Sequence, residues 1–217
     1  ITVFSSDPEY TSYTQEVHSV KSFDIPAVVR ELQRCDTLIS GGGSLFQDAT
    51  SLKSLIYYAF VLAFAQFLGK KTVIFAQGVG PLRNPISRFL VKWLFSQCDS
   101  VSVRDERSFL MLDSWGIDAE LVDDPAYSLE VPQVAKENVT GVQLRSFNGV
   151  DDKFLLRLKT ALGEKKLRAF SLQKSQDYAV CKGFCDDVVE EKIIQEISKC
   201  ETLVAMRFHA LLVALKA

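Results

Sequence analysis

Apolar residues in this chain follow two alternating patterns. Short runs of four or five apolar or β-branched residues end at Gly, Pro or Asp. Longer segments between them carry apolar residues at helical spacing. Thr37-Leu38-Ile39-Ser40 predicts a strand that ends at Gly41-Gly42-Gly43, followed by a long helix over 51–68. A buried strand is predicted over 72–76, ending in the loop Gln77-Gly78-Val79-Gly80-Pro81. Helix 85–97, strand 100–103 and helix 106–115 come next, the last stopped by Gly116 as a C-terminal glycine would stop it. Strand 119–122 ends at Asp123-Asp124-Pro125. From 131 to 138 the chain is polar and non-periodic, which sets a domain boundary and divides it into 1–133 and 138–217. The alternation then resumes: strand 140–144 ending at Arg145, helix 151–162, strand 167–172, helix 188–199 and strand 202–206. An apolar helix runs from Ala210 onward.

Repeated strand–helix alternation predicts an α/β fold of parallel strands with helices on both faces. Ligands of such sheets bind at the carboxyl ends of the strands. Those ends carry Gly41 to Ser44, Gln77 to Gly80, Arg104-Asp105 and Asp123-Asp124 in the first half. In the second half, Arg145 and Asp177 follow strand ends, and Arg207 and His209 complete the set.

Bulk properties narrow the function. The chain has 217 residues, 47% hydrophobic and 24% charged, with a formal net charge of -2. No basic block is present, which argues against binding nucleic acid through phosphate neutralisation. The five cysteines are scattered, and the one close pair, Cys181 and Cys185, has no second pair or histidine nearby. Reduced thiols are the simpler expectation, and no metal site is predicted. No signal peptide is visible, and a cytoplasmic protein is expected. The most apolar stretch, 55–68, is short for a membrane span and reads as a buried helix, with a surface helix touching lipid as the alternative. The sequence opens inside an apparent strand and stops inside an apparent helix, so both ends read as cut.

Several short constellations carry candidate chemistry. Arg207-Phe208-His209 sits between a predicted buried strand and an apolar helix. A helix N-terminus offers free N–H groups to an anion, Arg adds a fork suited to phosphate or carboxylate, and His exchanges a proton near neutral pH. Gly41-Gly42-Gly43-Ser44 lets backbone approach a ligand closely, with Ser44 and Gln47 available to hydrogen-bond it. Asp48 could act as a base or as a favourable charge near a helix start. Gln77 and Gly78 suit sugar or nucleotide contacts. Arg104 could reach an anion, Asp124 could accept from a substrate hydroxyl, and Arg145 adds a further cation. Each also has a purely structural reading as a turn, cap or salt bridge.

Taken in order, Ile39-Ser40-Gly41-Gly42-Gly43-Ser44-Leu45-Phe46-Gln47-Asp48, Gln77-Gly78-Val79-Gly80-Pro81, Val103-Arg104-Asp105, Asp124-Pro125-Ala126 and Arg207-Phe208-His209-Ala210-Leu211 resemble the polysaccharide pyruvyl transferase family. Within it they are similar to the bacterial cell-wall branch, the CsaB-like proteins. The resemblance implies two Rossmann-like domains facing across a cleft, as in glycosyltransferase-B enzymes. It implies transfer of a pyruvyl group from phosphoenolpyruvate to a sugar, with no cofactor. The acceptor would be a sugar or lipid-linked saccharide, with peripheral contact at the inner membrane. By motif position Arg207 and His209 would bind phosphoenolpyruvate, Arg104 would be a second anion contact, and Gly42, Gly43 and Ser44 would line the cleft. His209 would handle protons, with Asp48 or Asp124 as base. Family members begin with a strand and a Gly-Asn-x-Gly-Asp type loop that is not seen here. Two other functions suit the same fold: sugar transfer from a nucleotide sugar, and binding of a sugar or anion without catalysis.

Overall fold

A computed structural model describes residues 1–147 and 149–217. The chain forms two compact units, Ile1–Pro125 and Ala126–Ala217.

In chain order the first unit contains β1 (Thr2–Ser5), α1 (Pro8–Gln15), β2 (His18–Lys21), α2 (Ile25–Arg34), β3 (Thr37–Gly41), α3 (Leu52–Phe67), β4 (Lys71–Gln77), α4 (Pro85–Phe95), β5 (Ser100–Val103), α5 (Glu106–Asp113) and β6 (Glu120–Leu121). Each helix starts at a side-chain acceptor. Asp7, Asp24, Ser51, Asn84 and Asp105 accept from backbone N–H groups of the first turns of α1 to α5 in that order, satisfying donors that have no intrahelical partner. Strands β3-β4-β5-β6 form a parallel sheet in strictly sequential order. Right-handed crossovers between such strands all pass on one side. Accordingly α3, α4 and α5 pack on one face, around Phe46, Leu62, Ile74, Leu94, Phe95 and Leu112.

The sequence predicts helices on both faces, and here the first unit differs. By strand alternation Ile39 and Phe75 point away from that core, and they remain 63% and 47% exposed. The two remaining strands, β1 and β2, pair with each other in a separate parallel ribbon. A cavity of about 970 Å³ separates β1 from β3, floored by Tyr57, Tyr58 and Leu62 of α3.

The second unit contains β7 (Glu137–Gln143), α6 (Asp152–Leu162), β8 (Leu167–Phe170), α7 (Lys174–Phe184), β9 (Val188–Val189), α8 (Ile193–Lys199), β10 (Cys200–Ala205) and α9 (Phe208–Lys216). Its parallel strands are ordered β10-β7-β8-β9. The chain runs outward from β7 and then returns to β7's other side, so helices cover both faces. Val142, Leu144 and Ala169 pack with Cys181 and Phe184 of α7 and with Leu155 and Leu158 of α6. The next residue, Phe170, packs on the opposite face with Ile197 of α8 and with Ala210 and Val213 of α9. Adjacent strand residues therefore serve two cores, as a doubly covered strand requires. All five cysteines are free thiols.

The sequence reading leaves 174–184 without an element, where α7 lies, and predicts one helix over 188–199 where β9 precedes α8. It also places nothing between β1 and β3. The short strands β2 and β9 carry little period-2 signal, and tertiary pairing decides them.

Gly141 lies at the crossing of β7, β8 and β10. A Cβ there would sit 2.7 Å from Leu203 Cδ1, 2.9 Å from the Phe170 ring and 3.1 Å from Cys200 Sγ. Gly141→Ala is expected to destabilise the fold by about 1–3 kcal/mol through overpacking, read as a lower midpoint in denaturant. A neutral result would show that the neighbours yield freely.

Candidate functional site

In the first unit the strand ends are joined into a two-loop platform. Gly42 and Gly43 adopt φ of +68° and +66°, a left-handed conformation that glycine takes without steric cost. That turn sends the 42–48 segment alongside the 78–81 loop. Gly78 N–H donates to the Gly43 carbonyl at 2.9 Å, Gly80 N–H to Phe46 at 2.8 Å, and Asp48 N–H to Pro81 at 3.2 Å. The Asp48 carboxylate accepts from Arg83 N–H at 2.7 Å and Asn84 N–H at 2.9 Å. Those bonds, Arg83's first, hold its pKa below the ordinary value. Gln47 folds back on its own loop, accepting from the Ala49 and Thr50 N–H groups.

Around this platform the structure gathers Ser44, Gly78, Arg104, Asp105 and Asp124. Arg104, at the end of β5, donates through Nη1 to the buried Asp124 carboxylate, and its Nη2 lies 3.5 Å from Ser44 Oγ. Gly78 has no room for a side chain, since a Cβ would fall 2.6 Å from Ser44 Oγ and 3.2 Å from Asp105 Oδ2. Gln77 is fully buried. Its Nε2 donates to the Ser40 carbonyl at 3.0 Å and to Ser40 Oγ at 2.8 Å, while its Oε1 has no protein partner among the described residues.

In the second unit the strand order reverses between β7 and β10, and ligands of open α/β sheets bind at such a point. Asp177, near the start of α7, is fully buried there. Its Oδ2 accepts from Leu172 N–H at 3.1 Å, Gln173 N–H at 2.9 Å, Gln143 Nε2 at 3.2 Å and Arg207 Nε at 2.8 Å. Its Oδ1 accepts from Arg207 Nη2 at 2.6 Å. Gln143 closes the ring, because its Oε1 accepts from the Arg207 N–H at 2.8 Å and the Met206 N–H at 3.2 Å. Gln173 and Gln176 also accept from Arg207 Nη2, at 3.1 and 3.4 Å.

Arg207 is the residue that caps α9, and exposed His209 lies in the first turn of that helix with its ring 5.6 Å from Phe208. Arg145 follows β7, and its N–H approaches Met206 Sδ at 3.4 Å. Its Nε and the buried Ser171 Oγ have no protein partner among the described residues.

The sequence-predicted residues thus fall into two sets, one in each unit, and Gln47 and Asp48 bond within their own loops. Sequence reasoning misses Gln143, Gln173, Gln176 and Ser171. Gln143 leaves a readable signal: it is an amide inside the otherwise apolar end of a strand, and a buried amide must find partners.

A sequence profile of the family "Polysaccharide pyruvyl transferase" matches residues 1–217. The chain belongs to the polysaccharide pyruvyl transferase family. No curated protein and no solved structure matches it. Membership makes it an enzyme of pyruvyl transfer to polysaccharides. For a polysaccharide pyruvyl transferase the informative geometry is that both arginines of the motif set are paired with a buried carboxylate, Arg104 with Asp124 and Arg207 with Asp177. Each cation is therefore held in one orientation instead of sampling many.

Two outcomes follow. Removing Asp177 leaves the Arg207 fork, two backbone N–H groups and the Gln143 amide without their acceptor. Asp177→Ala should cost about 3–5 kcal/mol in denaturant unfolding. Adding Arg207→Ala to it should cost much less than the two single losses combined, and additive losses would refute the coupling. Asp48 is ionised above its ordinary value of 3.8 and stays so somewhat below it. A depressed folded pKa means that the loop tie is present above the unfolded value and lost as pH falls through the lower folded one. The amide proton shifts of Arg83 and Asn84 should therefore titrate below pH 3.8 and stop titrating in Asp48→Asn.

Proposed function

We propose that this enzyme transfers the pyruvyl group of phosphoenolpyruvate to two hydroxyls of one sugar in a cell-wall or extracellular polysaccharide precursor, as the CsaB-like branch would. The product is a cyclic ketal, and phosphate is released. The reading is carried by Arg207 at the β7–β10 strand-order reversal, seated on Asp177, with His209 in the helix turn that follows.

The chemistry needs three things from the chain. Phosphoenolpyruvate bears a phosphate and a carboxylate, so cationic donors must clamp it. Arg207 and Arg104 are the proposed clamps, oriented by their carboxylate partners, and Arg145, just past β7, is a further proposed cation. A proton must then reach the methylene carbon, which becomes the methyl group and leaves the adjacent carbon electrophilic. Two sugar hydroxyls attack that carbon in turn, the carbon–oxygen bond to phosphate breaks, and two hydroxyl protons are given up. One of them balances the proton taken by the methylene, and the other leaves on phosphate. His209 is the proposed proton carrier, since imidazole exchanges protons near neutral pH.

Asp124 is committed to Arg104, and Asp48 to two backbone N–H groups. Either would act as base only after releasing those partners. In this proposal the two units are Rossmann-like halves of a glycosyltransferase-B arrangement. The platform of Gly42, Gly43, Ser44, Gln77 and Gly78 then serves the saccharide.

His209→Ala and Arg207→Ala should each lower phosphate release from phosphoenolpyruvate, with saccharide acceptor present, by about 100-fold or more. Near-normal turnover by both variants would overturn the assignment. Release from a nucleotide sugar instead would identify a glycosyltransferase.

A further inference from the structure

Helix α3 is apolar on every side, and such a helix is ordinarily buried all round. Here it is not. Leu55, Ala59, Leu62 and Ala65 are buried, yet Ile56, Phe60 and Phe67, spaced four and seven residues apart on one stripe, face solvent, with Phe67 83% exposed. Helix α4 repeats the pattern. Ser87, Val91, Leu94 and Phe95 are buried, while Ile86 and Phe89 are 75% and 72% exposed and Trp93 49%.

Both helices follow strands of one sequentially ordered parallel sheet, so both lie on the same side of it. They touch: α3's Gln66 Nε2 donates to the Leu94 carbonyl of α4 at 2.9 Å. Their outward stripes therefore belong to one face. Contiguous exposed apolar surface of this kind marks an interaction site.

The charges on that face select the partner. Neither helix contains an aspartate or glutamate, and the charged residues they do contain are Lys53, Arg88 and Lys92, all exposed. This local excess of cations stands in a chain of net charge -2. Apolar and aromatic side chains, Trp among them, flanked by Lys and Arg form the pattern of a segment lying in the interface of an anionic bilayer. The long basic side chains can lay their stems on the apolar surface and keep their heads in the headgroup layer. A second copy of the chain fits less well. A two-fold contact would place this patch against itself, bringing two sets of Lys53, Arg88 and Lys92 together with no carboxylate from either helix to pair them. No helix among the described residues is long and apolar enough to cross a membrane.

We infer that the α3–α4 face is a docking surface for an anionic membrane, seating Ile56, Phe60, Phe67, Ile86, Phe89 and Trp93 at the acyl boundary and Lys53, Arg88 and Lys92 among the lipid phosphates. The inference does not rest on the transfer reaction, and loss of phosphate release would leave vesicle binding unchanged.

The experiment uses the intact chain with vesicles of phosphatidylglycerol and phosphatidylcholine in equal parts, against vesicles of phosphatidylcholine alone. Co-sedimentation should occur with the anionic vesicles and weaken as salt rises. In a Trp115→Phe background, Trp93 emission should shift to the blue on the same vesicles. Arg88→Glu with Lys92→Glu should lower the partition coefficient by about thirtyfold or more. Phe89→Ser with Trp93→Ser should weaken it comparably, with unchanged circular dichroism for both variants. The inference is overturned by no binding, by equal binding to both vesicles, or by variants that bind as the parent does. It is equally overturned if the face proves to be a dimer contact, shown by a sedimentation dimer that the variants dissociate while vesicles go unbound.

Discussion

Asp177 has no access to water, and a carboxylate so placed is tolerable only if donors from every surrounding element compensate it. They come from three directions: the backbone entering α7, the amide of Gln143 on β7, and the guanidinium of Arg207 at the start of α9. That convergence fixes the level at which the carboxyl ends of β7 and β10 stand. Gln143 extends it to the main chain by accepting from Met206 and Arg207. The first turn of α9, and with it His209, is thus located by a charge on another helix. Because Asp177 and Gln143 are each bonded through both side-chain polar atoms, a local change at either propagates to the other members.

The first unit reaches a comparable order by different means. There the strand ends are held chiefly by main chain, with the 42–48 segment laid along the 78–81 loop through three backbone hydrogen bonds and the Asp48 carboxylate fastened to the residues before α4. Left-handed Gly42 and Gly43 start the turn, and the absent side chain of Gly78 lets Ser44 and Asp105 close over it. Glycine is needed at each of these positions for a separate reason: freedom of φ at Gly42 and Gly43, and clearance at Gly78.

The residues that announce themselves in the sequence are those whose environment is local. The three-glycine turn, the long apolar helix α3, the Gly116 stop after α5 and the strand–helix passage at Arg207 are all legible, because propensity, capping and hydrophobic spacing act over a few positions. The α/β class with parallel strands follows from the alternation alone. What stays hidden depends on neighbours far apart in the chain. Arg207 reads as an open anion site until β10 is seen beside β7, which brings Asp177 and Gln143 to it from 30 and 64 positions away. Asp48 reads as a base or a helix-start charge until Arg83 and Asn84, beyond β4, are seen to donate to it. The one-sided first sheet is hidden for the same reason, since alternation predicts crossovers without giving the order of the strands.

The cavity between β1 and β3 has a consequence for the backbone. Each of these strands is hydrogen-bonded to a neighbouring strand along one side only, β1 to β2 and β3 to β4, so among the described residues each leaves one strand edge without a β partner. Edges of this sort are templates for pairing. The polar end of Thr2 and the hydroxyl of Ser40 soften them little beside Val3, Phe4, Leu38 and Ile39. In concentrated solution it is along these two edges, more than over the helix faces, that chain-to-chain β-association should begin.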